Sequence, residues 1–170
     1  LITISPYLIR NVLIFETITI TKSFGYNLWK GNNPSSTVEG YRFISNDVQE
    51  QINTIPKDKF YTINLNKIFL DRATRNIIKE PTRYFMLFFK KVASFLFINI
   101  KSSQSNYYNP LHYLPILLLG ITSLIGILVS DKKSHRLNYL IIIFFANIII
   151  FSSFFILPRY KLIILPLQII

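Results

Sequence analysis

Two apolar runs, residues 113–130 and 137–157, constrain this chain more than any other feature. Neither contains Asp, Glu, Lys or Arg, and each approaches the roughly 20 helical residues that cross the hydrocarbon of a bilayer. A third run, residues 161–170, opens directly after Arg159 and Tyr160. Hydrophobic residues make up 51% of the 170 positions, which excludes an ordinary soluble domain. The chain reads as mainly α and integral to a membrane, a multispan helical bundle with one large loop region.

The stretch before these runs fills in that plan. Residues 1–9 read as the end of a transmembrane helix that begins before Leu1, and residues 161–170 read as a span cut short, so the chain is expected to be a fragment of a longer protein. The polar pair Arg10-Asn11 predicts the membrane exit. Residues 12–21, rich in Ile, Val, Thr and Phe, then predict a short strand or extended segment. Gly25, Gly31, Asn32, Asn33 and Pro34 supply the conformations of tight turns. A short helix is expected near residues 47–53, and a longer one capped by Asn66 and running to about Lys79, where Pro81 stops it and starts the next. The apolar stretch 82–100 carries Lys90 and Lys91 at its middle, where a charge in hydrocarbon costs about 2.5 to 3.5 kcal/mol. A helix lying in the interface, with both lysines snorkelling to headgroup phosphates, fits that pattern better than a span. Residues 10–112 therefore form the loop region, with interfacial amphipathic helices.

A net charge of +11 would point to nucleic acid in a soluble protein. Here the basic residues lie through the loop region, in the link DKKSHR at 131–136 and at Arg159 and Lys161, all beside apolar runs, so lipid headgroups explain them and nucleic acid is excluded as a partner. The basic link between two closely spaced spans belongs in the cytoplasm, which turns residues 10–112 outward. The absence of Cys, with His112 and His135 the only histidines, removes disulfides, thiol catalysis and Cys/His zinc sites. No phosphate-binding glycine loop or metal-ligand cluster is visible, so no cofactor is expected.

Arg10 and Arg159 stand where spans meet the outer face, at the depth of a lipid phosphate, and a guanidinium can fork onto phosphate oxygens there. Simple headgroup anchoring is the alternative. Tyr160 either orients the phosphate or belongs to the aromatic belt. Asn27, Trp29, Gly31, Asn32 and Asn33 form a polar loop whose amides suit sugar hydroxyls and whose indole suits a sugar face; otherwise residues 31–34 only make a turn and Trp29 pins it to the membrane. Glu39, Asp58, Asp71 and Glu80 stand in no paired motif and receive no catalytic role. Gly120, Ser123 and Gly126 recur every three residues and, with Asn147, read as helix packing.

In order along the chain, Pro6-Tyr7, Arg10-Asn11, Gly25, Asn27-Leu28, Gly31-Asn32, Pro34, Pro81 and PRYKLIILP resemble a family of membrane glycosyltransferases. These GT-C type enzymes take sugars from polyprenyl phosphates and include protein O-mannosyltransferases and lipid A aminoarabinose transferases. The resemblance covers most of the chain but only that family's carboxyl-terminal half. Ile163 departs from it, standing where members often carry Pro.

What the resemblance implies is a multi-pass enzyme of the bacterial inner membrane, active at its outer face, with a polyprenyl-phosphate sugar as donor and a protein or glycolipid as acceptor. Its catalytic carboxylate lies in a first outer loop that has no counterpart here, so the chain alone is expected to be inactive. The resemblance also strengthens the reading of Arg159 as a phosphate ligand. Two other classes stay open, a transporter or flippase and a noncatalytic membrane-anchored interaction module.

Overall fold

A computed structural model describes residues 3–41, 43–99, 101–103, 108–130 and 135–169. The protein is mainly helical, with 70% helix and no strand among the described residues.

The first helix, α1, spans Ser5–Phe15 and has Pro6 in its first turn, where a missing N–H costs nothing. It does not break at Arg10-Asn11. It continues four residues beyond Asn11 and ends at Glu16, in the left-handed region at φ 55°, with Glu16 N–H donating to Val12 O. The expected strand at 12–21 is thus corrected. A mid-helix Asn costs at most about 0.7 kcal/mol, too little to stop a helix whose neighbours are Leu, Ile and Val. Asn11 is fully buried, and its Nδ2 donates to Thr19 O at 2.7 Å, folding the next segment back on α1.

Helix α2, Phe24–Gly31, replaces the expected run of turns. It packs most extensively against α4, Tyr61–Lys79, and the glycines serve close approach. A Cβ on Gly25 would lie 2.2 Å from Asn66 O. Asn66 caps no helix, because α4 begins five residues earlier; its Oδ1 accepts from Gly25 N–H at 2.6 Å. Helix α3, Asn46–Asn53, closes this part, and Trp29, Val48, Ile52, Phe69 and Ala73 form its core.

Pro81 starts α5, Pro81–Leu96, straight after α4 ends. Its two lysines part company: Lys90 is exposed, whereas Lys91 is 1% exposed. The snorkelling expectation is corrected for Lys91, because the two residues differ by 100° around the helix and only Lys90 falls on the open arc.

Helices α6, Pro110–Val129, and α7, His135–Ser152, occupy the two apolar runs. Among the described residues α7 is the one helix long and apolar enough to cross a membrane, and 17% of it is buried. The apolar part of α6, Tyr113–Val129, is shorter. The third run is no continuous helix: a 3-10 turn at Pro158–Ile163 leads into the five-residue α8, Leu165–Ile169. Residues 131–134 of the basic link lie outside the described residues. A second core joins α5, α7 and the segment after it through Phe95, Leu96, Phe144, Ile148, Ile156 and Ile164. Asn147 donates to Ile143 O of its own helix and clasps no neighbour. Gly120 admits Leu96 O, which a Cβ would meet at 2.2 Å, while Gly126 faces open space.

Candidate functional site

The glycine and amide cluster at the end of α2 acts as a clamp. A Cβ on Gly31 would lie 1.8 Å from Phe154 O, so only glycine lets α2 touch the backbone that follows α7. Asn32 Nδ2 donates to Leu28 O and to Ser153 O, each at 2.9 Å. Lys91 Nζ donates to Gly31 O at 2.9 Å and to Asn32 Oδ1 at 3.2 Å. Asn33 turns the chain: its Oδ1 accepts from Ser35 N–H and its Nδ2 donates to Tyr41 O. Three parts of the chain distant in sequence, residues 28–33, Lys91 and residues 153–154, thus meet in one buried polar knot.

No carboxylate pairs with Lys91 among these contacts. Burial pulls its ammonium down to about 7, and its Nζ donates to the two acceptors it faces.

The knot fixes an aromatic cleft of 160 Å3 beside it, walled by Phe24, Asn27, Phe151, Phe154, Phe155 and Tyr160. Phe24 meets Phe154 edge to face at 5.4 Å, and Tyr160 lies 5.6 Å from Phe151 and 5.9 Å from Phe155. Two cations flank these rings. The Arg159 guanidinium carbon is 5.6 Å from the Tyr160 centroid, and Lys30 Nζ sits 3.7 Å over Phe155. Lys30 also lines a second, 670 Å3 cleft with Glu39, Tyr41 and Leu157.

Of the residues singled out from sequence, Asn27 and Tyr160 therefore share one cleft, with the exposed Arg159 at its edge. The others are elsewhere or otherwise engaged. Arg10 is exposed on α1 and does not line the cleft. Trp29 is 3% exposed, between Tyr26 and Phe69, with no open face for a sugar and no reach to a membrane. Gly31, Asn32 and Asn33 are buried in the clamp. Their expected place in a sugar pocket is corrected, since the same amides close the fold before they can meet a ligand.

Sequence reasoning missed the phenylalanine walls and Lys30. The spacing of Phe151, Phe154 and Phe155 across Ser152-Ser153 was a signal for the former, hidden inside a run read as one continuous span. The loop carboxylates are committed: Asp71 pairs with Arg75 at 3.0 Å, Glu80 with Arg83 at 3.4 Å, and Asp58 accepts from Phe60 N–H. Burial alone would raise the Glu39 carboxyl, yet hydrogen bonds from Ser102, Ser103 and Asn99 outweigh it and hold it below the usual carboxylate range. That is the wrong direction for a general base. Among the described residues no group of His, Asp and Glu gathers to hold a metal.

No protein-family model, curated protein or solved structure matches the chain.

Proposed function

We propose that this chain is the donor-holding part of a multi-pass membrane glycosyltransferase, one that moves a sugar from a polyprenyl phosphate to an acceptor at the outer face of a bacterial inner membrane. The observation that carries the reading is the cleft that Asn27, on α2, and Tyr160, from the Arg-Tyr-Lys run, both line, with the Arg159 guanidinium carbon 5.6 Å from the Tyr160 ring. Aromatic walls suit the apolar start of an isoprenoid chain or the face of a sugar, and an amide suits a sugar hydroxyl. When the glycosyl bond breaks, negative charge grows on the departing lipid phosphate, and the Arg159 guanidinium would stabilise it there. The acceptor's proton goes to a carboxylate that none of the committed loop acids provides; the resemblance assigns that role to the family's first outer loop.

Multi-pass insertion belongs to this proposal. Its support is the largely unburied α7 together with the outward Leu118, Ile125, Leu128 and Val129 of α6. A transporter would set charges or broken helices along a path within its spans. The described parts of α6 and α7 carry one charge, Arg136 in the first turn of α7, and one proline inside a helix, Pro115 of α6.

The test is donor turnover in vesicles of native membranes carrying the whole enzyme of which this chain is proposed to be the donor-holding part. Arg159→Gln is expected to slow sugar transfer by about tenfold to hundredfold, the worth of one charge-assisted phosphate contact. Unchanged turnover in that variant, or no turnover of any polyprenyl-linked sugar by the parent protein, rejects the reading in favour of a transporter or an interaction module.

A further inference from the structure

At the other end of α6 and α7 lies a cleft of 370 Å3 that the proposed donor site does not use, walled by Leu119, Gly126, Leu137, Phe144, Leu167 and Gln168. Its wall is mainly hydrocarbon, with Thr122, Ser123, Ser130 and Gln168 set among the apolar side chains. The hydroxyls along it are spent on their own helix: Thr122 donates to Leu118 O, Ser123 to Gly120 O and Ser130 to Ile127 O. Gln168 is the exception. It is 7% exposed, and its amide nitrogen has no hydrogen-bond partner among the described residues. A buried donor without a partner is unfavourable, and an acceptor oxygen entering the cleft would satisfy it.

We infer that this cleft holds one acyl chain of a bilayer phospholipid, whose ester carbonyl accepts a hydrogen bond from Gln168 Nε2. Three observations fix the occupant. The volume lies at the low end of about 300–1,000 Å3 seen for small-molecule pockets. The unmet donor requires an acceptor oxygen attached to hydrocarbon, which an ester-linked chain has and an isoprenoid chain lacks. His135 and Arg136 open α7 at this end, where an exposed guanidinium suits an anionic headgroup. The open space at Gly126 continues the groove along α6.

The inference rests on α6 and α7 lying in a membrane, as proposed above, and the experiment separates the two. The protein is extracted from native membranes in mild detergent, and its retained lipid is identified by native mass spectrometry. A single anionic phospholipid is expected on the parent protein. Gln168→Leu should weaken its retention about tenfold, the loss of one net hydrogen bond. Gly126→Phe should displace it, because the position opens into the groove with nothing within 4 Å of a Cβ and the ring takes up the space of the chain, and circular dichroism should show an unchanged helix content. Equal retention by Gln168→Leu and the parent, a polyprenyl lipid in the cleft, or no retained lipid at all would overturn the inference. Failure of the membrane reading looks different: alkaline washing would release the parent protein from the membrane whatever lipid it carries.

Discussion

Gly31→Ala is expected to be the most damaging single substitution in the chain, lowering stability by about 3 kcal/mol or more and the unfolding midpoint by at least about 6 °C. The new methyl would sit 1.8 Å from Phe154 O, and the atom in its way is backbone, so no rotamer change relieves it. Either α2 moves off the segment following α7, or that segment moves. Both separate Gly31 O and Asn32 Oδ1 from Lys91, and both open the aromatic cleft, because Asn27 and Phe24 ride on the helix that Gly31 ends. Thermal unfolding in detergent measures the first effect and donor turnover the second. Gly126→Ala, where nothing lies within 4 Å, serves as the control and should leave turnover unchanged without lowering the midpoint.

Lys91→Met carries the next largest effect, with a size that depends on pH. The thioether fills the space of the lysine stem but leaves Gly31 O and Asn32 Oδ1 without this donor, a loss of about 1–3 kcal/mol for each buried acceptor. Against this stands the burial that pulls the Lys91 ammonium from 10.5 to about 7. Between those two values the unfolded chain holds a proton that the folded chain has released, so the parent protein gains stability as pH rises from 7 towards 10.5. The methionine variant has no such proton to release. Its deficit relative to the parent should therefore be smaller near pH 7 and larger near pH 10. Melting curves of both proteins across that window test it, and a deficit that shrinks with rising pH would contradict the assignment of Lys91 as a neutral buried donor.

What the sequence made legible was mostly punctuation and periodicity. Pro81 marked the boundary between α4 and α5 because proline both ends one helix and suits the first turn of another. The short helix expected near residues 47–53, kept short by Pro56, is α3, and the apolar run at 113–130 matched α6 to within a few residues. Misreadings came where tertiary contacts outvoted local chemistry. Gly25 and Gly31 look like turn residues in a sequence, yet both lie in a helix, because the scarce quantity there is space against Asn66 and Phe154. Lys90 and Lys91 are equivalent by composition, and only the packing of α5 decides which one faces the clamp. The break after Ser152 was illegible for a related reason: residues 153–157 are as apolar as the helix before them, and what holds them out of it is hydrogen bonding to Asn32 and to Val38.

The site was half legible. Asn27, Arg159 and Tyr160 stood out as polar or charged groups at the edges of apolar segments, where bare composition gives contrast. The phenylalanines facing them did not, since Phe151, Phe154 and Phe155 sit among fifteen in the chain and differ from the rest only by their place in three dimensions.

The central claim is that a polyprenyl phosphate sits with its phosphate at Arg159 and its first isoprene units among the rings around Tyr160. A photoreactive short-chain polyprenyl phosphate, crosslinked to the protein in native membranes and mapped by peptide mass spectrometry, tests it most directly. The account predicts label on residues 151–160 and on α2, lost when unlabelled polyprenyl phosphate is added in excess. Label confined to other segments, with sugar transfer intact, would contradict it.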